Sequence, residues 1–259
     1  MNTARLVHGI GRIPVLGKTL RRIVNRYREG STVTIRRGQA AGMRFKRFHR
    51  YNAAFAVGVH EIPLQEAIAR ELSDGAVFYD VGSHTGFFTV IAARIVGPRG
   101  FCYAFDPVPD NVDATRAQIE VNDLGNCEVV GAGVCGLDEI ERAIRPSEMV
   151  ELGRLSAGKK FVVPTVTLDS FVANHRPPDV VKIDVEGAEV HVLEGAKGLL
   201  GSEHAPCLII ELHGDELACE VAEILERNRY AIHDLERKLI AKGDPLPNHI
   251  LALWNPQFS

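Results

Sequence analysis

The sequence predicts an α/β protein, a parallel sheet covered by helices on both faces with a basic arm in front. In FYDVGSHTGFF, residues 78–88, apolar and aromatic residues run into Asp80, then Gly82 and Gly86 stand four apart. Helical spacing follows at Phe88, Ile91, Ala92 and Ile95, so the order reads as strand, glycine loop, helix. From there strand-like and helix-like segments alternate, the pattern of parallel strands joined by helical crossovers. Charge is also divided. The first 50 residues hold 13 Lys or Arg and one acid, Glu29, a balance of +12; the rest holds 17 against 32, a balance of −15.

Taken in order, residues 5–28 place Leu16, Leu20, Ile23, Val24 and Tyr27 at helical spacing between arginines, an amphipathic pattern. Gly9, Gly11, Pro14 and Gly17 interrupt its first half, so a regular helix is expected from Lys18. Residues 31–48 alternate apolar and polar around Gly38 and Gly42, which predicts a small hairpin or cap. A helix is expected from Ile62 to Leu72. Strands are expected at 76–81, 101–106, 127–134, 160–168, 180–185, 207–212 and 249–254. Helices are expected from Phe87, over 108–122, at 169–174, over 186–200 and over 215–228. Residues 137–159 lack a clean period and are expected to shape the substrate side. The chain therefore divides into an arm and cap, 1–58, and a main domain, 59–259.

With 46% hydrophobic and 24% charged residues, the 259-residue chain has an ordinary globular composition. No apolar run approaches the roughly 20 residues that span a bilayer, and no secretory pattern is seen at the N-terminus. Cys102, Cys127, Cys135, Cys207 and Cys219 are odd in number and never spaced as CxxC. They predict buried apolar thiols in a reducing cytoplasm rather than disulfides or structural zinc. The basic front predicts attraction to an anionic surface, a phosphorylated or lipid-linked carrier, nucleic acid, or the protein's own acidic body.

In an open parallel sheet, ligands bind beyond the carboxyl ends of strands at the point where the strand order reverses. Residues 80–86 form such a loop. Its spacing, Asp then GxxxG, differs from the GxGxxG that cradles a dinucleotide pyrophosphate. A carboxylate beside phosphate is unfavourable, but beside a sulfonium it is attractive, so the loop favours S-adenosylmethionine over NAD. Asp106, closing the next strand, stands where a carboxylate accepts from ribose hydroxyls, or else caps the helix after it. In VKIDVEGAEVHVLEGA, residues 181–196, Asp184 and Glu186 are placed at the site, whereas Glu189 fits a capping role at a helix start.

FYDVGSHTGFFT, YAFDPVPDNVDATRAQIEVN and above all VKIDVEGAEVHVLEGA resemble the FkbM family of class I S-adenosylmethionine-dependent methyltransferases, over about residues 58–213. The resemblance implies a Rossmann-like, seven-stranded, mostly parallel sheet whose last strand is antiparallel. It also implies methylation of hydroxyl groups, commonly on sugars or polyketide products. Carried over by position, Asp80, Gly82 and Gly86, with Ser83, His84 and Thr85 between them, would hold the methionine part of the cofactor. Asp106, with Pro107 and Asn111, would hold the ribose, and Asp184 with Glu186 would face the acceptor. The sequence departs from the family at His84 (commonly Asn), Ser83 (commonly Ala) and Asp106 (commonly Glu).

Methyl transfer needs the acceptor oxygen in line behind the methyl carbon, about 3–3.5 Å away. A base adds roughly 10² to 10⁴ in rate. Candidates are Asp184, Glu186, His191, Glu211 and His213; IIELHG places Glu211 and His213 on one side of a strand end, with His213 ranked first as a neutral base. Asp184, Glu186 and Glu211 alternatively chelate a divalent cation such as Mg²⁺. The expected function is O-methylation of a glycan or small natural product. RNA methylation and a non-catalytic membrane-surface adaptor are the alternatives, the first disfavoured by the absence of an RNA-binding module or a base-amine motif.

Overall fold

The computed structural model describes residues 28–136, 142–144, 161–255 and 257. The amphipathic segment expected before residue 28 and most of the segment 137–159 lie outside them. The expected hairpin is β1 (Thr32–Thr34) paired antiparallel with β2 (Arg44–Lys46). It is followed by α1 (Ala53–Val57), whose N-cap Asn52 accepts from the Ala54 N–H, and by α2 (Ile62–Glu71). Then come β3 (Val77–Val81), α3 (Phe87–Val96), β4 (Phe101–Phe105), α4 (Pro109–Val121) and β5 (Cys127–Val130). Four short strands follow, β6 (Gly133–Val134), β7 (Arg142–Ile144), β8 (Phe161–Val163) and β9 (Thr165–Val166), and then α5 (Leu168–Val172). The chain continues through β10 (Val180–Ile183), α6 (Glu189–Glu194), α7 (Lys197–Leu200) and β11 (Cys207–Glu211). It ends with α8 (Asp215–Arg227), β12 (Tyr230–His233) and β13 (His249–Trp254).

The central sheet has seven strands in the order β12-β13-β11-β10-β3-β4-β5. Only β13 runs against its neighbours, β11 and β12. The seven strands are not the seven expected. The segment 160–168 is cut at Pro164, which has no N–H to give a ladder, and its halves β8 and β9 pair with β7 and β6 in separate two-stranded sheets. Its place in the main sheet is taken by β12, a short strand directly after α8. The segment 127–134 is likewise split between β5 and β6.

The expected helix 186–200 starts three residues late, because Glu186 and Gly187 adopt φ values of 52° and 97°. It then breaks at Gly195, where a Cβ would stand 2.1 Å from the Cys135 carbonyl oxygen. Strand order reverses between β3 and β10, so the loops leaving these two strands meet at the carboxyl rim.

One face of the sheet packs Val77, Tyr79 and Val81 with Leu193, Leu199 and Leu225. The other packs Phe78 with Phe87 and Ile91, and the same core takes in Ile35, Phe45, Tyr51 and Phe55 from the cap. Burying each such aromatic or branched side chain stabilises by roughly 1.5–3 kcal/mol, which anchors residues 28–58 to the sheet. Arg44 pairs with Asp123 at 2.5 Å, and Arg50 donates to the Asp110 carbonyl, so these two cap arginines turn toward α4. All five cysteines are free thiols. Among the described residues no helix is long and apolar enough to cross a membrane.

Candidate active site

The loop after β3 is shaped by two close approaches. Gly82 has φ 81°, and a Cβ there would stand 1.8 Å from the Asp184 carbonyl oxygen, so the β3 and β10 loops touch backbone to backbone. Gly86 has φ 74°, and its Cβ would collide with Thr115 of α4. Between them His84 holds φ 50°, unusual for a side chain with a Cβ. Ser83 Oγ lies 3.4 Å from Thr115 Oγ1, which also donates to the His84 carbonyl. Thr85 is 1% exposed, and its hydroxyl has no hydrogen-bond partner among the described residues. A buried hydroxyl left over in a glycine loop fits a loop that receives a polar ligand.

Asp80, expected to hold the methionine part of the cofactor, lies within the sheet. It is fully buried, accepts from Thr89 Oγ1 at 2.6 Å, and faces Lys182 Nζ at 3.1 Å. Asp80 and Lys182 are register partners on β3 and β10, so the ion pair is a cross-strand pair inside the sheet. The Asp80 charge expected beneath a sulfonium is therefore answered by Lys182, a residue the sequence reading passed over. Lys182 also donates to the Gly82 carbonyl at 2.8 Å and approaches Asp184 Oδ2 at 3.4 Å. Burial alone pushes the ammonium down, but Asp80 and Asp184 outweigh it and hold the group protonated.

Asp106 follows β4 and is 4% exposed. Its carboxylate accepts from the His84 and Val108 N–H groups, both at 2.9 Å, and from Asn111 Nδ2 at 3.1 and 3.2 Å. Burial raises it to about 6, against those four contacts. Pro107 packs near Gly133. Asn111 is itself held by the cap, since Tyr51 Oη donates to Asn111 Oδ1 at 2.6 Å. The Tyr51 and Phe55 rings lie 4.7 and 5.7 Å from the His84 ring, so cap aromatics border the loop directly. Burial lowers both His84 and His60 to about 4.

The opposite half of the rim gathers carboxylates around imidazoles. His213 Nδ1 sits 2.7 Å from Glu189 Oε1, and its Nε2 lies 3.5 Å from Glu186, 3.9 Å from Glu211 and 4.0 Å from Asp184. Glu189 is buried and also accepts from the Gly187 N–H, so it ties the turn before α6 to the histidine; the expected capping pair with Glu186 is not formed, since Ala188 is the N-cap. The Glu189 hydrogen bond raises His213 to about 9, with burial opposing and Glu186 and Glu211 adding. The ring expected as a neutral base thus sits among carboxylates that favour its protonated form. At Asp184 burial raises the carboxyl, but Lys182 and then His213 outweigh it and leave it below the ordinary range. His191 is exposed on α6 beside Glu194.

The chelating set expected from Asp184, Glu186 and Glu211 is divided. Asp184 and Glu186 group with His213, whereas Glu211 groups with Glu61 and His249. Sequence reasoning missed Tyr51, His60, Glu61, Lys182, Glu189 as a histidine partner, and His249. Of these, only Lys182 left a signal, a charge inside the otherwise apolar VVKI.

The chain is similar to known methyltransferases. A curated relative from Sulfurisphaera tokodaii, a probable cobalt-precorrin-6B C(15)-methyltransferase (decarboxylating), is 31% identical over 40% of this chain and 62% of its own. The hexuronic acid methyltransferase AglP of Haloferax volcanii is 28% identical over 61% of this chain and 64% of its own. The chain thus spans less than two thirds of either of these relatives. Among solved structures, the methyltransferase FkbM of Methylobacillus flagellatus KT is 20% identical, covering 70% of this chain and 44% of that one, with a TM-score of 0.48. The methyltransferase FkbM domain matches residues 80–232, more than half of the sequence and both halves of the rim. The chain belongs to the FkbM methyltransferase family, whose cofactor is S-adenosylmethionine.

Proposed function

We propose that this protein methylates a hydroxyl group of a sugar or similar polyhydroxyl acceptor, with His213 as the base. The carrying observation is the His213–Glu189 pair: a buried carboxylate fixes Nδ1 and leaves Nε2 toward Asp184 and Glu186. This is the arrangement in which a carboxylate orients an imidazole and favours the proton it takes up. S-adenosylmethionine, when bound, supplies an electrophilic methyl group on a sulfonium. Residues 82–86, Asp106 and Asn111 would hold it, with the Thr85 hydroxyl as one polar contact.

On the acceptor half, Asp184 and Glu186 accept hydrogen bonds from acceptor hydroxyls and orient one of them. His213 Nε2, once deprotonated, takes the hydroxyl proton. Tyr51 and Phe55 screen the loop from water. The carboxylate excess favours neutral hydroxyls over an acid at the reacting end. The relative named as a hexuronic acid methyltransferase supports a sugar acceptor. The basic front of the chain favours an anionic or lipid-linked carrier for it, and five free cysteines fit a reducing cytoplasm.

The test is transfer of label from S-adenosylmethionine to a panel of glycans, lipid-linked sugars and RNA. Label in a sugar hydroxyl, lost by roughly 10²-fold or more in His213→Ala, is the expected result. Label in RNA alone, or full turnover without His213, overturns the proposal.

A further inference from the structure

We propose that Glu61, Glu211 and His249 form a binding site for one divalent transition-metal ion, of the Zn²⁺ or Mn²⁺ class, at the seam between cap and sheet. Each ligand comes from a different element. Glu211 ends β11 and His249 begins β13, directly opposite in the antiparallel register. Glu61 precedes α2, and its side chain does not cap that helix. His249 Nε2 lies 3.4 Å from Glu211 Oε2 and 3.9 Å from Glu61 Oε2, and the three ligand atoms are all within 4.8 Å of one another.

Donors held at about 2.0–2.2 Å around one ion stand roughly 3–3.5 Å apart, so the His249–Glu211 pair already has that spacing and Glu61 would draw in on binding. The imidazole supplies the second observation. His249 Nε2 is shielded from solvent and stands 3.4 and 3.9 Å from carboxylates of two different elements, longer than a good hydrogen bond to either. An ion there would satisfy that nitrogen and both acids together. The mixed nitrogen and oxygen set favours Zn²⁺ or Mn²⁺ over Mg²⁺, which takes oxygen ligands. Three protein ligands leave open positions on the ion.

The site is separate from the group of Asp184, Glu186 and His213, and is joined to it through Glu211, whose Oε1 lies 3.9 Å from His213. Because Glu61 lies at the start of α2, directly after the cap, binding would tie that junction to the sheet.

Chelator-treated full-length protein is titrated with ZnCl₂ and with MnCl₂ by calorimetry, alongside metal analysis after desalting. One ion per chain and a raised melting temperature are expected. His249→Ala and Glu61→Gln should abolish both while keeping the circular dichroism of the wild type, and Glu186→Gln should keep both. No binding by wild type overturns the proposal. So does binding that survives His249→Ala and Glu61→Gln but is lost in Glu186→Gln, which moves the ion to the neighbouring group. None of these readouts requires methyl transfer, so failure here and failure of the proposed reaction are told apart.

Discussion

On the donor half of the rim each carboxylate is answered within the protein, Asp80 by Lys182 and Thr89, Asp106 by two backbone N–H groups and Asn111. On the acceptor half, Glu61, Asp184, Glu186, Glu189 and Glu211 crowd around three imidazoles, His60, His213 and His249, with Lys182 beside Asp184. The halves meet where Gly82 touches the Asp184 carbonyl. The difference separates two tasks. A binding loop is preorganised by settling its own charges. On the other half the carboxylates around His213 raise it instead, which under the proposed function is the edge that meets the acceptor.

Lys182 is the joint between the halves, so its removal tests the comparison most severely. It is 2% exposed and touches Asp80, Asp184 and the Gly82 carbonyl. Lys182→Met leaves two acids against one another with no cation, which costs about 3–5 kcal/mol when a buried pair is broken on one side. Denaturant unfolding should show that loss, and Asp80→Asn in the same chain should restore part of it. A loss under about 1 kcal/mol would mean that water, not Lys182, balances these acids, and the donor half would no longer be self-contained.

A smaller effect separates the halves by pH. His84 on the donor loop is held near 4 by burial, with Asp184 opposing, against 6.5 in an unfolded chain. Between pH 6.5 and 4 the unfolded chain binds a proton there that the folded chain refuses. Stability from this group is whole above 6.5 and falls by about 1.4 kcal/mol per unit as pH drops toward 4. Acids titrate in the same range, so the readout is a difference: His84→Asn should lose less stability on acidification than wild type. Identical slopes would show that the cap lets water reach His84.

The legible parts of this molecule are those whose cause is local. The glycine loop could be read because φ values of 81° and 74° exclude most side chains at Gly82 and Gly86, and the Asp184 to Glu189 stretch carries its own motif. Long-range causes stayed hidden. Whether Glu61 meets His249 depends on where the returning strand β13 lies, and no spacing in the sequence records that. β12 was missed because four residues after a helix carry too short a pattern, and 160–168 was misplaced because Pro164 ends its ladder. Lys182 was visible, but a lone charge in a buried strand acquires meaning only beside its register partner.

The smallest effect concerns where the donor half ends. Tyr51 reaches it indirectly: its hydroxyl holds Asn111 Oδ1, and Asn111 Nδ2 in turn holds Asp106. Tyr51→Phe removes the hydroxyl that is shared between Asn111 Oδ1 and the Asp110 carbonyl and leaves the ring packed, a change of about 1 kcal/mol in stability. If the cap only buttresses the loop, affinity for S-adenosylhomocysteine measured by calorimetry should fall by less than roughly tenfold, since tenfold is 1.4 kcal/mol. A fall of a hundredfold or more would make the Tyr51 hydroxyl a direct contact of the ligand. The cap would then belong to the donor half itself, and the boundary drawn at Asn111 would move outward to residues 51–55.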